Sequence, residues 1–146
     1  MKSPTDEHWN QRALTRDPVK VNIEDTAQRD LELGFVFQSL RGCDMPLGGK
    51  VLEVGCGNGF TTQQIRERVA HVDAFDYSEN MIEAARAYWG ETNNRFFHDD
   101  ILEPEHLDPP YDVVLCVRVL INLRGVEEQR VAIRNMAKAL RPGGRL

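Results

Sequence analysis

The 146-residue sequence has few cysteines, an excess of acidic over basic residues and no long apolar run. Cys43, Cys56 and Cys116 are odd in number and none belongs to a C-x-x-C pair, which argues against a disulfide framework and against a zinc site. The longest apolar run is far too short to cross a bilayer, and the first residues begin no signal-peptide pattern. We therefore expect a cytoplasmic protein without a membrane segment.

The charge and the size of the chain narrow the function further. A formal net charge of −5 argues against nucleic acid as a partner, because phosphate contacts need clustered lysines and arginines. The apolar content of 41% and the charged content of 28% are typical of a globular protein, and the length suits one domain. The triplet His98-Asp99-Asp100 is interpreted as a polar turn after a strand, so no metal is predicted.

One stretch organises the chain: four strand-like residues, 51–54, lead into Gly55, Gly57 and Gly59, and a helix-compatible run follows over 60–69. Glycine is needed where the backbone takes a positive φ or approaches a ligand without a Cβ, so this loop predicts a ligand cradle. A dinucleotide is one candidate ligand, because G-x-G-x-x-G after a strand binds dinucleotides. Here Phe60 occupies the place of the third glycine and Glu53 precedes the loop, which disfavours that alternative.

The remaining elements alternate between strand and helix. A helix is predicted from Asn22 or Asp25 to Leu40, with an apolar face expected to lie against the sheet; its residues are Ile23, Ala27, Leu31, Phe35 and Leu40. Strands are predicted over 71–76, 95–98 and 112–117, and helices over 79–89 and 123–140, the last ending at Arg141-Pro142-Gly143-Gly144. This alternation predicts an α/β domain over 23–146 with a doubly wound parallel sheet. Residues 1–22 are predicted to be an irregular arm with one helical turn near 8–14.

Five motifs occur in a fixed order: the glycine loop, the segment Asp76-Tyr77-Ser78 with Met81, the turn Asp99-Asp100-Ile101, Leu-x-Asn-Leu at 120–123, and Leu-Arg-Pro-Gly-Gly at 140–144. In this order they resemble the class I S-adenosylmethionine (SAM)-dependent methyltransferases over about residues 48 to 146. The resemblance implies a Rossmann-like sheet with strand order 3-2-1-4 and SAM as the cofactor, with S-adenosylhomocysteine as its product.

The resemblance also implies a set of cofactor-binding residues: Glu53, Gly55, Cys56, Gly57, Asp76, Tyr77, Met81, Asp100, Ile101 and Cys116. Asp76 lies 21 residues after Gly55, where an open α/β sheet places the acid that accepts two ribose hydroxyls, although an acid also favours a helix start. The family places Tyr77 and Met81 in the adenine pocket; helix core is the alternative for Met81. Asp100 and Ile101 fit the adenine-binding turn, with Asp99 where a glycine is usual.

Four residues are placed to face a substrate: Arg118 and Asn122 after the fourth strand, and His8 and Trp9 in the arm. Each has an alternative: a solvated charge for Arg118, a helix cap for Asn122, surface for His8 and a hydrophobic tether for Trp9. No residue is predicted to be a general base. The sequence predicts methyl transfer to an O, N, C or S atom of an acceptor, for which we expect a small molecule. A SAM-binding or interaction module without turnover and an NAD-dependent oxidoreductase are the alternatives.

Two further segments carry expectations. Asp108-Pro109-Pro110-Tyr111 spells a base-binding motif of nucleic-acid methyltransferases, but it precedes the fourth strand and is predicted to be a turn at the opposite edge. The resembled family continues after Leu-Arg-Pro-Gly-Gly into a fifth strand and further elements. The sequence therefore predicts that strand 4 is an open apolar edge, covered by self-association or by a partner chain, unless the sequence is a fragment.

Overall fold

The computed structural model of the chain describes residues 4–14, 25–43 and 49–146. The helices are α1 (Pro4–Arg12), α2 (Thr26–Arg41), α3 (Phe60–Ile65), α4 (Glu79–Trp89) and α5 (Val126–Ala139). The strands are β1 (Lys50–Val54), β2 (His71–Asp76), β3 (Asn94–His98), β4 (Tyr111–Cys116) and β5 (Leu140–Arg145). The strands form one sheet in the order β3-β2-β1-β4-β5, and each neighbouring pair is parallel. The predicted fold class and the order 3-2-1-4 are confirmed and extended by one strand.

The sheet is covered on both faces, because successive side chains of a strand point to opposite sides. On one face, Val51 packs in a core cluster with side chains of α2, α3 and α4. On the other face, Leu52 packs with Met136 and other residues of α5. The same alternation separates Phe96 from Phe97 on β3. This is the two-sided burial typical of a parallel sheet with helices on both faces. None of the described helices is both long and apolar enough to cross a membrane.

Two helix starts follow the capping chemistry of the sequence. The Asp25 carboxylate accepts hydrogen bonds from the backbone N–H groups of Ala27 and Gln28, at 2.9 and 3.1 Å, so Asp25 caps α2. Ser78 caps α4 by accepting from the N–H of Met81. Asn22, the other predicted cap, lies outside the described residues. These bonds satisfy amide groups that a helix leaves without an internal partner in its first turn.

The end of the chain differs from the prediction. The last helix stops at Ala139, and Leu140–Arg145 runs as β5 beside β4, pairing Tyr111 with Leu140 and Val113 with Arg145. Arg141 fixes this strand by donating to Asp112 of β4 at 2.5 Å. A Cβ on Gly144 would lie 3.0 Å from the Asp112 carbonyl oxygen, so the glycine lets β5 pass close to β4. The expectation of an open β4 edge is therefore wrong; the motif does not only stop the helix but also supplies a strand.

The arm is more helical than predicted. Residues 4–12 form α1, which lies against the start of α4. Ser78 donates to the Asn10 side-chain oxygen at 2.6 Å, and the Asn80 amide donates to the Asn10 carbonyl at 3.3 Å. Trp9 packs with Ala13 and Met81. These contacts attach α1 to the first turn of α4; the rest of the arm, 1–3 and 15–22, lies outside the described residues.

The segment Asp108-Pro109-Pro110-Tyr111 lies at the amino end of β4, where the sequence placed it. The Asp108 N–H donates to the Tyr111 hydroxyl at 2.9 Å, and that hydroxyl donates to Asp73 of β2 at 2.6 Å. Ligands of open α/β sheets bind at the carboxyl ends of the strands, which is the opposite edge. The segment is a turn that supports the sheet.

Candidate cofactor cleft

A cleft of about 520 Å³ opens at the carboxyl ends of β1, β2 and β4. β1 lies between β2 and β4, so the order of strands reverses at this point, where open α/β sheets bind their ligands. The floor is formed by the end of β1 and the glycine loop, one wall by the ends of β2 and β3, and the other by α2 and the segment after β4. The cleft therefore lies where the sequence predicted the cradle.

Glycine is required in this loop for two physical reasons. Gly55 and Gly59 have φ angles of 70° and 78°, in the left-handed region that side chains rarely adopt. Space is also limiting, because a Cβ on Gly55 would lie 2.3 Å from a methyl group of Val119 and one on Gly59 would lie 2.7 Å from the Phe96 ring. Gly59 thus allows the close helix packing that the third glycine provides in dinucleotide-binding folds.

Asp76 ends β2 with its carboxyl group held in a fixed orientation at the cleft. One oxygen accepts from the Gly57 N–H and the other from the Ser78 N–H, both at 2.8 Å. Burial raises the pKa of this carboxyl, and the two backbone hydrogen bonds oppose the rise. The glycine loop, β2 and the start of α4 are therefore joined through one acid that lines the cleft.

Glu53 lies beside the glycine loop, is 5% exposed and accepts a short hydrogen bond from the Thr62 hydroxyl of α3. Burial raises its pKa to about 7; the Thr62 hydrogen bond lowers it and the charge of Asp76 raises it. Cys56, also on the floor, has a pKa raised well above its usual value by burial and by the charges of Asp76 and Glu53. A thiol in this environment is protonated at neutral pH and is a poor nucleophile.

Four more residues of the predicted cofactor set line the cleft: Tyr77, Met81, Asp100 and Ile101. Met81 is 1% exposed and contacts Trp9, so it belongs to the core and to the cleft wall at once.

Asp99 also lines the cleft, but its carboxylate accepts from the N–H groups of Asp100, Glu105 and His106 at 2.9 to 3.1 Å. Those contacts make Asp99 an organiser of the loop and favour Asp100 for contact with a ligand.

The other predicted residues divide in two groups. Trp9, Arg118 and Asn122 line the cleft. His8 and Cys116 are not among the described residues of the cleft wall: His8 contacts the Trp9 ring edge-on, with ring centres 5.0 Å apart, and Cys116 packs against the core cluster of the α5 face. The sequence placed both near the cleft, and in the described structure neither lines it. Binding roles for the whole predicted set stay predictions.

α2 contributes one wall of the cleft, which the sequence did not predict. Arg29, Glu32, Leu33 and Val36 line the cleft at the spacing i, i+3, i+4, i+7 of one helix face. The prediction of which α2 residues pack on the sheet is wrong in part, because Leu31 and Phe35 are 68% and 69% exposed. The sequence pattern that could have indicated this wall is a helix face on which the charged Arg29 and Glu32 alternate with apolar residues.

Two arginines connect this wall with the rest of the cleft. The Arg29 guanidinium lies 4.9 Å from the centre of the Phe60 ring, donates to Asp30, and has a buried Nη1 without a hydrogen bond in the described structure. Arg118, directly after β4, has a φ of 60° and pairs with Glu32 at 3.3 Å. A side chain held in this strained region is typical of ligand sites.

The comparisons with known proteins agree with this architecture. A family model described as "Methyltransferase domain" matches residues 51–144. A ubiquinone biosynthesis O-methyltransferase of Idiomarina loihiensis is 31% identical over 119 residues, which are 80% of this chain and 46% of that protein. The chain thus spans about half the length of this curated relative.

Two solved structures share the fold. The N-methyltransferase NodS of Bradyrhizobium japonicum, in complex with S-adenosylhomocysteine, has a TM-score of 0.80 at 23% identity, covering 97% of this chain and 70% of NodS. A putative methyltransferase in complex with the Haloferax volcanii Trm112 activator has a TM-score of 0.72 at 22% identity, covering 97% and 59%. With its glycine loop, its sheet order and the family match over nearly all of the sheet, this chain belongs to the methyltransferase domain family.

Proposed function

We propose that the chain binds SAM in this cleft and directs its methyl group to a small-molecule acceptor. The observation that carries the proposal is Asp76: its carboxyl is fixed by two backbone N–H groups, at the end of β2, beside a glycine loop that leaves room for a ligand. A carboxylate in this position suits the two neighbouring hydroxyls of a ribose. SAM has no phosphate, which agrees with a loop that has no Walker lysine and has Phe60, not glycine, at the third position of the dinucleotide spacing.

The remaining groups of the cleft fit the other parts of the same molecule. Asp100 and the Ile101 N–H suit the adenine edge, and Tyr77 and Met81 suit the adenine faces. Arg29, with its unsatisfied Nη1, suits the carboxylate at the opposite end of the cofactor. Bound SAM supplies a methyl group that is already activated as a sulfonium.

The chain's own task is then to position the acceptor and to exclude water. The segment after β4 offers an apolar surface through Val117, Val119, Ile121 and Leu123, beside Arg118 and Asn122, while Trp9 lines the cleft from α1. Such a surface suits an acceptor with an apolar body. The similarity to an O-methyltransferase makes an oxygen nucleophile the first to test; N, C and S acceptors remain alternatives.

Partner chains and location stay predictions from the sequence. Because β5 covers β4, an edge-to-edge partner of the described sheet would pair with β5 or β3. The cytoplasmic location and the division into an arm, 1–22, and a domain, 23–146, also rest on sequence alone.

Binding and turnover test the proposal. We expect SAM and S-adenosylhomocysteine to raise the melting temperature and NAD to leave it unchanged. Asp76→Ala should weaken SAM binding at least about tenfold, because a charge-assisted pair of hydrogen bonds contributes about 1.5 to 3 kcal/mol. Glu127→Ala is the matched control, since Glu127 is an exposed acid paired only with Arg130 on the surface of α5.

Each alternative has its own result. Unchanged SAM affinity in Asp76→Ala would show that the site is assigned wrongly, and stabilisation by NAD alone would favour the oxidoreductase. Release of S-adenosylhomocysteine is then measured with phenols, amines and thiols as acceptors. SAM binding without turnover on this panel would favour the non-catalytic module.

A further inference from the structure

Two carboxyl groups, those of Glu53 and Asp76, line the floor of the cleft, and the charge of His98 acts on Asp76. β1 and β2 are adjacent and parallel, with Val54 opposite Phe75, so Glu53 and Asp76 stand at neighbouring strand ends. Glu53 is 5% exposed and Asp76 is half-buried; desolvation raises the pKa of both carboxyls, and the charge of Asp76 raises that of Glu53 further. In the described part of the chain, neither forms an ion pair with a lysine or arginine.

The hydrogen-bond donors decide which of the two carries a proton. Asp76 accepts from two backbone N–H groups, which can only donate, so both of its oxygens are held as acceptors. Glu53 has a single partner, the Thr62 hydroxyl, which can donate to a carboxylate or accept from a carboxylic acid. Burial raises the pKa of Glu53 to about 7, so a protonated form of this acid is populated in the ligand-free cleft near neutral pH.

We propose that Glu53 is the residue by which the cleft distinguishes the sulfonium cofactor from its neutral thioether product: it holds a proton in the ligand-free cleft and releases it when a sulfonium binds. The inference rests on the proposed function. Both ligands share an ammonium, a carboxylate and an adenosine, and the charge on sulfur is the difference that a buried carboxylate can detect. An opposite charge in a site of low dielectric favours the ionised form of an acid.

Other charged or titratable groups surround Glu53. Asp76 and Cys56 interact electrostatically with Glu53, His98 of β3 acts on Asp76, and Arg29, Glu32 and Arg118 line the same cleft, while Cys116 of β4 packs on the α5 face. The two thiols have raised pKa values and stay neutral in this pH range, and Asp76 is held as an acceptor. Glu53 is the buried acid on this floor whose pKa lies near neutrality.

The direction of the effect follows from this charge. As pH rises through about 7, Glu53 ionises and the affinity for SAM increases, while the affinity for S-adenosylhomocysteine changes less. After methyl transfer, the electron pair of the broken S–C bond stays on sulfur and the positive charge is lost. Glu53 then takes a proton back from solvent, and the cleft no longer favours the molecule it holds. Product release is assisted by the same residue that favours cofactor binding.

Titration calorimetry tests the inference without an acceptor. Binding of SAM and of S-adenosylhomocysteine is measured between pH 6 and 7.5 in buffers of different ionisation enthalpy, and the titration of each ligand's own α-amino group, which begins within this range, is measured separately and subtracted. We expect SAM to release up to about half a proton at pH 7, and S-adenosylhomocysteine clearly less. The ratio of the two dissociation constants should change about fivefold to tenfold across this range, following the ionised fraction of Glu53.

Two variants identify the residue. Glu53→Gln keeps the shape of the side chain and should make the ratio of dissociation constants independent of pH. Thr62→Val removes the hydrogen bond that lowers the pKa of Glu53, so the pH dependence should move to higher pH. Equal proton release for both ligands in the unmodified protein, or an unchanged difference in Glu53→Gln, would overturn the inference while leaving SAM binding intact. If neither ligand binds, the proposed function fails as well.

Discussion

Two aspartates of β2, the buried Asp73 within the strand and the half-buried Asp76 at its carboxyl end, have opposite surroundings. Asp73 is 1% exposed and accepts from Tyr111 and from Arg95, with His71 at 2.9 Å and Lys50 at 3.7 Å. Burial acts to raise the pKa of Asp73, but the hydrogen bonds from Tyr111, Arg95 and His71 outweigh it and lower the pKa. Asp76, three residues further, is held by backbone N–H groups, and its pKa is raised.

This difference separates an acid that holds the fold from one that is available to a ligand. At Asp73, hydrogen bonds from Tyr111 and Arg95 hold the carboxylate, which links β2 to β3 and to the turn before β4. At Asp76, two acids share the cleft floor without an ion pair to a lysine or arginine of the described chain, and burial raises the pKa of both, which costs stability that a ligand with positive charge can recover. Strongly raised pKa values in a cleft are typical of functional sites.

The largest expected effect is the loss of stability on replacing Asp73. Asp73→Ala leaves Arg95 and the Tyr111 hydroxyl without their buried partner, so the free energy of unfolding should fall by about 3 to 5 kcal/mol. Urea denaturation measures this loss. Asp108→Ala is the control: Asp108 is a 76% exposed partner of Lys50, and its loss should cost less than about 1 kcal/mol. Equal losses in the two variants would mean that Asp73 is not the centre of this network.

The acids on the cleft floor should affect how the stability of the protein depends on pH. The pKa of Glu53 is higher in the folded protein than the usual 4.5, so the folded state holds the extra proton between pH 4.5 and 7. The contribution of Glu53 to the free energy of unfolding therefore falls as pH rises from 4.5 to 7, by up to about 3 kcal/mol. Asp73 acts in the opposite direction, because its lowered pKa gives stability above pH 4 that is lost as pH falls.

Glu53→Gln isolates the first of these contributions. The variant should be more stable than the parent at pH 8 and should lack the decline between pH 4.5 and 7. Denaturation at pH 5, 6, 7 and 8 gives the comparison without any ligand. A parent protein whose stability does not fall in this range relative to Glu53→Gln would show that the carboxyl is ionised in the ligand-free cleft.

The contrast also explains how far the sequence could predict the molecule. The alternation of strands and helices and the position of Asp76 follow from local signals, namely apolar strands, a glycine loop and the spacing between the two, whereas the strand order followed from the family resemblance. The cleft wall made by Arg29 and Glu32 does not, because a charged residue on a helix reads as solvent-facing until the helix is placed on the sheet. β5 was missed for a related reason, since a Pro-Gly-Gly segment has low strand propensity and pairs only because β4 is already there.

The smallest expected effect concerns the edge of the cleft, where α1 meets α4. Trp9 lines the cleft and packs on Met81, so a ligand against this wall should hold α1 in place more firmly. We expect amide hydrogens of residues 7–12 to exchange more slowly when S-adenosylhomocysteine is bound. Trp9→Ala should lower the affinity about threefold, an effect of less than 1 kcal/mol.

His8 provides the matched control for this prediction. It is the neighbouring aromatic residue on α1, is exposed and does not line the described cleft. His8→Ala should therefore leave both the affinity and the ligand-dependent protection of α1 unchanged. If α1 exchanges equally fast with and without ligand, then Trp9 is only a hydrophobic anchor for the arm, and the functional end of the sheet is limited to the glycine loop, α2 and the strand ends. If both variants lose affinity equally, the helix as a whole, rather than the Trp9 ring, forms the wall.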